Sequence, residues 1–501
     1  MTTSPDLTEG PAALEPAPLA AIEKHSIDFV PDSERHGTVR QQGVFWFLSN
    51  TQSLSVAVGF LGPALGLSIL WTVVATALGT VFGTSFMALH ASQGPHLGLP
   101  QMLQSRAQFG YRGVVVPLVA ALFAYMAYLI LDTVILDVGL HAIFGISGVL
   151  IGIAAAVLAV VLAIYGYDWL HRTFRWFFWI SLPFWAVLSV AILVGHAGGH
   201  APTAHYGFFF VAFAAQFSYA ASINLSYAPC VSDYSRYLPE NTPFRKVIGA
   251  VFAGAASPLV WLVAIGAWLA TRLGATDALS GMNTAGNHIF SGFGDALVVV
   301  SSIVLVITMG LCAYSGALTV LTGGTSLGVL KESRNGRPVL RSAAIVVLGI
   351  IWAVIAIPLH DENAAVSNLV YAVYYVLLPW TAINLVDYFF IRRGRYAITH
   401  LDRPDGIYGA WSWRGIVAYL VGLAAVVPFV NLTFFQGWAV KPLDSVDLSW
   451  VVGIVVSAVV YYAITRSLDL STAPAAIKES NAELEALGLM TPESVATASE
   501  F

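Results

Sequence analysis

The chain has 501 residues, of which 57% are hydrophobic and only 10% are charged. About a quarter of the residues in a typical soluble domain are charged, so most of this chain cannot face water. The formal net charge of −5 is small for this length and argues against nucleic acid as a partner. The N-terminal segment is polar and rich in Pro and Ala, without the apolar core of a signal peptide, so membrane insertion has to rely on internal segments.

Long apolar segments recur along the chain. A bilayer core of about 30 Å needs roughly 20 apolar residues of helix. Twelve segments meet this requirement to within a few residues, so the sequence predicts an all-α integral membrane protein with twelve transmembrane helices. The segments are 43–68, 70–92, 114–140, 148–167, 175–196, 207–231, 247–271, 295–321, 342–358, 364–391, 415–434 and 448–465.

The distribution of Lys and Arg predicts the orientation. An even number of spans places both tails, 1–42 and 467–501, on one side of the membrane. Of the 23 Lys and Arg residues, only Arg272 and Lys441 then fall on the opposite side. Because loops rich in Lys and Arg stay in the cytoplasm, we expect a multi-pass protein of the plasma membrane with both termini cytoplasmic. For the tails we expect no dedicated role.

Two spans contain helix-breaking residues. The first carries Gly59, Gly62 and Pro63 within SVAVGFLGPALGLS, and the sixth carries Pro229 within NLSYAPCVSDYSRY. Proline removes a backbone donor, and lipid tolerates the freed carbonyl only where protein or a polar cavity receives it. The breaks are five spans apart, so the two helices enter from opposite faces, as in an inverted repeat with the site between them. Two ordinary proline kinks are the alternative.

The inverted repeat also predicts how the chain is divided. Residues 43–392 would form a ten-helix transport core, with repeat one at about 43–197 and repeat two at about 207–392. Residues 393–466 would add helices 11 and 12 with the loop before them.

The half-helix after the second break ends at Asp233 and Arg236, at the cytoplasmic surface. These two residues are candidates for an inner gate. An interfacial anchor is the structural alternative.

Four segments of the chain resemble one family. SYAPCVSDYSRYLPENT (226–242), FWFLSNTQSLSVAVGFLGP (45–63), GPHLGLPQMLQSRAQFGYRG (94–113) and, more weakly, CAYSGAL (312–318) resemble motifs of the purine–cytosine permease branch of the nucleobase–cation symporters. The resemblance implies a LeuT-type 5+5 inverted repeat plus two C-terminal helices. It also implies uptake of a purine, a pyrimidine such as cytosine or a related nitrogen compound together with a proton or sodium ion.

The resemblance also implies the substrate contacts. By motif, the aromatic contacts fall on Tyr128 and Tyr227, and the polar contacts fall on Ser55, Asp132 and Cys312. The family often has tryptophan at both aromatic positions, an amide at the position of Asp132 and asparagine at the position of Cys312. This chain departs from the family at all four, which leaves the substrate open.

Asp132 is the most informative of these residues. It lies four residues after Tyr128, so both share one helix face, and an aromatic face beside a polar group suits a flat heterocycle. A lone carboxylate in a span is a functional hypothesis by default. Asp132 could accept hydrogen bonds from ring or amino N–H groups, bind a cationic amidine, guanidine or amine, or carry the coupled proton. Pairing with a polar group on another helix is the structural alternative.

The eighth span bears on the coupling ion. It reads SSIVLVITMGL before Cys312, with aliphatic residues where a sodium site would want hydroxyls, which favours a proton over sodium. We expect no cofactor and no metal site.

The motifs together predict a secondary active transporter, with a small-molecule substrate and the lipid bilayer as its partners. An enzyme is disfavoured because no metal-spaced cluster, Ser–His pair or phosphate loop occurs in the sequence. A channel or a membrane receptor is a remote alternative. The sequence leaves the oligomeric state open, and a monomer is compatible with it.

Overall fold

Helices make up most of the described chain. A computed structural model describes residues 22–23, 25–200, 205–330, 337–359, 363–443 and 445–490. Within these ranges no β-strand occurs beyond two isolated bridges. The helices of the first half are α1 Val39–Ser49, α2 Ser53–Val58, α3 Leu61–Ala64, α4 Ile69–Ala91, α5 Gln93–Leu97, α6 Gln101–Gln104, α7 Arg106–Phe109, α8 Val115–Phe144, α9 Gly148–Tyr165 and α10 Tyr167–Leu193.

The second half continues the helical pattern. π-helical turns extend two of its helices, at Leu269–Leu273 and at Asp387–Ile391. Its helices are α11 Phe210–Leu225, α12 Val231–Ser235, α13 Phe244–Trp268, α14 Ala278–Ile289, α15 Phe293–Ser326, α16 Arg337–Ala356, α17 Asn363–Val386, α18 Trp413–Val426, α19 Ser449–Thr465 and α20 Ala473–Ala486.

These helices fit the predicted spans. In the described ranges, eight single helices are long and apolar enough to cross a membrane, and α1 with α2–α3 forms a ninth, bent span. Three shorter apolar helices, α11, α18 and α19, fall on the remaining predicted spans. The all-α membrane architecture is therefore confirmed, and the helices are consistent with twelve spans. The helix of the fifth predicted span, α10, starts earlier than predicted. Gly166, with a φ of 83°, turns the chain, and α10 begins directly after it at Tyr167.

The first span is interrupted twice. The axis bends by 58° between α1 and α2, at residues 50–52, and a second interruption separates α2 from α3 at residues 59–60, which include the predicted Gly59. A Cβ on Gly59 would lie 2.4 Å from the carbonyl oxygen of Val263, and one on Gly62 would lie 2.4 Å from Oγ1 of Thr72. Both glycines therefore permit close approach to neighbouring helices.

The break in the sixth span lies where the sequence predicted it. Residues 226–230, with Pro229 among them, separate α11 from α12. The freed backbone folds into tight turns, in which the N–H of Ala228 donates to Leu225 (2.9 Å) and that of Cys230 donates to Tyr227 (3.0 Å). Both broken helices are thus present, one from each half of the core.

Glycines also bring the first half of the core against the second. A Cβ on Gly79 of α4 would lie 2.2 Å from the carbonyl oxygen of Phe217, and one on Gly83 would lie 2.1 Å from that of Ala221. The two glycines are four residues apart, so they form one flat face along which α11 packs. This contact fixes the broken sixth span beside α4.

Both terminal segments lie on one side of the molecule, which we name the tail face. The backbone N–H of Asp32 donates to the carbonyl of Leu489 (3.2 Å), and Glu483 of α20 pairs with Arg403 in the loop before α18. The second tail contains α20, Ala473–Ala486. Residues 1–21 and 491–501 lie outside the described ranges.

Candidate substrate site and tail-face gate

One small cavity lies between the two broken spans. It holds about 10 Å³, which is close to the least room that one water molecule needs. Four elements form its wall: α2, α8, the break before α12, and α15. The lining residues are Leu54, Tyr125, Tyr128, Asp132, Ser226, Tyr227, Cys230, Thr308 and Cys312.

Asp132 is the only acidic residue in this lining, and it is almost fully buried, with 2% of its surface exposed. Its Oδ1 makes no hydrogen bond within the described part of the chain. No Lys, Arg or His side chain described in the structure lies within ion-pair distance of it. The structural alternative, pairing with a polar group on another helix, therefore finds no support among these residues. Asp132 offers a ligand an acceptor without a competing partner.

Tyrosines form the aromatic part of the wall. The hydroxyls of Tyr125 and Tyr128 are buried and make no hydrogen bond of ordinary length and angle with the described residues. Tyr227 is anchored from behind, since its hydroxyl donates to the carbonyl of Ser49 (3.4 Å) and its ring lies 5.4 Å from that of Trp46. The cavity thus combines aromatic surface and tyrosine hydroxyls with a carboxylate oxygen that has no hydrogen-bond partner in the described ranges.

The polar contacts predicted on the first and eighth spans differ in whether they line the cavity. Cys312 lines the cavity, whereas Ser55 does not, and its neighbour Leu54 takes that position. The buried hydroxyl of Ser55 has no partner in the described ranges. Thr308 also lines the cavity, but its hydroxyl already donates to the carbonyl of Val304 (3.0 Å).

Ser226 and Cys230 are among the members of the wall that sequence reasoning missed. Both lie in the break of the sixth span, where turns replace the helix and turn side chains toward the cavity. The signal for them was Pro229 itself, because side chains that flank a helix break face the space the break creates.

Amides join the two broken spans at the level of the first break. Asn50 donates through Nδ2 to Oδ1 of Asn224 (2.6 Å) and to the carbonyl of Ala255 (2.9 Å). Asn224 in turn donates to Oγ1 of Thr84 (2.7 Å). Asn224 therefore belongs to a helix interface and not to the cavity wall, and this amide pair holds the breaks of the first and sixth spans together.

The candidate gate residues lie on the tail-face side of the cavity. Oδ1 of Asp233 accepts the backbone N–H of Gln101 (2.9 Å), in the segment that links the second and third spans. Arg236 is fully buried and donates to the carbonyl of Ser26 (2.9 Å) and to the hydroxyl of Tyr314 (3.2 Å). Asp233 and Arg236 thus hold different partners, and no ion pair joins them in the described contacts.

Glu23 of the N-terminal segment completes this cluster. Its carboxylate lies 3.4 Å from Nη2 of Arg236 and 2.9 Å from Nη1 of Arg341, and both arginine side chains have no exposed surface. It also accepts a hydrogen bond from the hydroxyl of Tyr314 (2.8 Å). One tail carboxylate therefore pairs with two buried arginines, from the sixth and ninth spans, and this part of the tail is packed against the core.

Comparison with known proteins decides the family. A family profile described as a permease for cytosine/purines, uracil, thiamine and allantoin matches residues 29–453. The chain belongs to this permease family. It is 32% identical over 451 residues to YxlA of Bacillus subtilis, whose name places it among purine-cytosine permeases, and the alignment covers 89% of this chain and 96% of YxlA. It is 24% identical to purine-cytosine permease fcyB of Emericella nidulans, over 88% of this chain and 87% of that protein.

Solved structures agree on the fold of the permease. Mhp1, a nucleobase-cation-symport-1 family transporter in a closed conformation with bromovinylhydantoin bound, superposes with a TM-score of 0.67 at 15% identity, over 95% of this chain and all of Mhp1. A Na⁺-coupled sialic acid symporter gives 0.58 at 12% identity, over 89% of this chain and 93% of its own. The expected LeuT-type fold is confirmed. The permease is a transporter and not an enzyme.

Proposed function

We propose that this permease is a proton-coupled symporter that imports a purine, cytosine or a related nitrogen heterocycle by alternating access. Asp132 carries the proposal, because it is a buried carboxylate without a partner in the described ranges, on a face shared with Tyr128. A heterocycle that stacks on the tyrosines would present its N–H groups to this carboxylate. The unpaired acid is also the group best placed to take up and release the coupled proton.

A symporter for a cationic nitrogen compound is the second candidate. An amidine, guanidine or amine would supply the positive charge that Asp132 lacks among its described neighbours. In that case the charge would stay on the ligand, and Asp132 would act as its counter-ion.

The tail-face cluster supports an inner gate at Asp233 and Arg236. We propose that the tail face is cytoplasmic, in the plasma membrane, so that release inward requires Glu23 to leave its two arginines. The 5+5 division at about 43–197 and 207–392 would supply the two halves that move against each other.

Transport by purified protein in proteoliposomes tests the proposal. We expect labelled cytosine or adenine to accumulate under an inward proton gradient, equally well when choline replaces sodium. Unlabelled base inside the vesicles should accelerate entry, because only a carrier shows such exchange. Accumulation that requires sodium would contradict proton coupling. Competition by benzamidine or guanidine, without transport of any base, would favour the cationic substrate.

A further inference from the structure

A second cavity lies at the tail-face ends of α18 and α19, away from the candidate substrate site. We name it the α18–α19 cavity. It holds about 150 Å³, compared with about 10 Å³ for the cavity between the broken spans, which suits a small polar group. Its wall includes Arg392, Trp411, Trp413, Arg414, Thr465 and Asp469.

The position of the cavity places it where lipid head groups lie. α18 begins at Trp413 and α19 ends at Thr465, so the cavity lies at the level where these apolar helices leave the membrane. Trp411 and Trp413 are 59% and 56% exposed, and exposed tryptophans at helix ends are typical of the membrane–water interface. A cavity between helix ends at this level that offers an arginine is a place where lipid head groups bind.

Arg414 supplies the positive charge. Its Nε donates to the carbonyl of Ile464 (3.0 Å), which fixes the guanidinium, while both Nη groups make no hydrogen bond with the described residues. Arg392, by contrast, is already neutralised by Asp387 (3.2 Å). Arg414 therefore has two donors for a phosphate, and guanidinium–phosphate contacts are strong and directional.

Thr465 and Asp469 complete the polar wall. Thr465 is 2% exposed, and its buried hydroxyl makes no hydrogen bond of ordinary length and angle within the described ranges. Asp469 brings a negative charge, and hydrogen bonds from the backbone and side chain of Ser471 lower the pKa of its carboxyl. The wall thus offers donors for an anion and an acceptor for a cation in one cavity.

We propose that the α18–α19 cavity binds the head group of a phospholipid of the adjoining leaflet that carries both a phosphate and a primary amine. The phosphate would lie against Arg414 and Thr465, and the ammonium would lie against Asp469. A choline head group has no N–H donors for Asp469, and a glycerol head group has no positive charge.

Thermal unfolding of the delipidated, detergent-solubilised protein tests this site. We expect micelles with phosphatidylethanolamine to raise Tm at lower lipid concentration than phosphatidylcholine or phosphatidylglycerol with the same acyl chains. Arg414→Gln should weaken the binding of phosphatidylethanolamine about tenfold. Asp469→Asn should abolish the preference for this lipid over the other two. Thr465→Val keeps shape and charge, and should weaken binding about threefold.

Arg245→Gln is the matched control. Arg245 also lies near the tail-face start of an apolar helix, with its guanidinium 5.8 Å from the ring of the preceding Phe244, as that of Arg414 lies 5.1 Å from Trp413. This variant should bind all three lipids as the parent protein does. If Arg414→Gln does not fold, the Thr465→Val and Asp469→Asn variants still decide the question.

Two results would overturn the proposal. Equal stabilisation by the three lipids, with no effect of Asp469→Asn, would show that the cavity does not distinguish between the head groups. Stabilisation by soluble phosphoethanolamine or inorganic phosphate at concentrations as low as those of the lipid would assign the site to a soluble ligand.

Discussion

Asp132 concentrates the chemistry of the candidate site in one side chain. A buried carboxylate without a partner is costly in a membrane helix, so its retention needs a ligand or a proton. We expect Asp132→Asn to keep the binding of a neutral base, because the amide oxygen still accepts a hydrogen bond, but to abolish accumulation against a gradient. Binding is measured by calorimetry and accumulation in proteoliposomes.

The same variant separates the two candidate functions. For a cationic substrate, Asp132→Asn should remove binding itself, since the counter-ion is lost. Asp137→Asn is the matched control, as it makes the same change five residues further along α8, outside the cavity lining. Unchanged accumulation in Asp132→Asn would contradict both roles.

Tyr128 tests whether the ligand is a stacked ring. Tyr128→Ala should weaken binding about tenfold or more, because both stacking and buried area are lost. Tyr128→Phe should keep most of the affinity and lose only what the hydroxyl contributes. Equal losses in the two variants, measured as Kd, would argue against stacking.

At the level of single residues, four of the five predicted substrate contacts line one common cavity. Tyr128, Asp132, Tyr227 and Cys312 meet there, although their roles stay predictions. Ser55 lies outside the lining and its neighbour Leu54 lies in it, on α2, which follows the bend at residues 50–52. The angle of a helix after a bend depends on tertiary packing, which the sequence pattern does not report.

The contact between α4 and α11 depends on two glycines without side chains. Gly83→Val should destabilise the protein by about 1–3 kcal/mol, or prevent folding, because the backbone of α11 occupies the space that a side chain would need. Thermal unfolding in detergent measures the effect. Gly249→Val in α13 is the control, since no atom lies within 4 Å of a Cβ there, and its Tm should stay close to that of the parent.

The helices also show where reasoning from sequence fails. The sequence suggested a break at Gly59 and Gly62. The helix is interrupted at residues 59–60, but the 58° bend lies at residues 50–52, and both glycines also pack closely against α13 and α4. The actual bend uses Gln52, whose side chain accepts the N–H of Leu54 and so starts α2. Glycine in a span has two uses, flexibility and close approach, and only the neighbouring helix distinguishes them. Pro229 was interpreted correctly because proline removes a donor wherever it lies.

At the scale of the whole molecule, the N-terminal segment packs on the tail face through Glu23, and we propose that this contact keeps the tail face closed. Glu23→Gln leaves Arg236 and Arg341 buried without their charge partner, and removing one partner of a buried ion pair costs about 3–5 kcal/mol. The variant destabilises the conformation in which the two arginines are buried against residue 23. It should therefore favour a conformation that is open to the tail face. We expect faster maleimide labelling of Cys312 from that side.

Glu485→Gln is the control for this prediction, because Glu485 is an exposed carboxylate on the same face. Its labelling rate should equal that of the parent protein. Equal rates in Glu23→Gln and the parent would show that the segment does not hold the tail face closed.

The cavity between the broken spans has a consequence for kinetics. A space of about 10 Å³ cannot admit a heterocycle as a rigid body, so association must include a rearrangement of the wall. In stopped-flow mixing, the observed rate should then level off at high ligand concentration, at a plateau set by that rearrangement and not by diffusion.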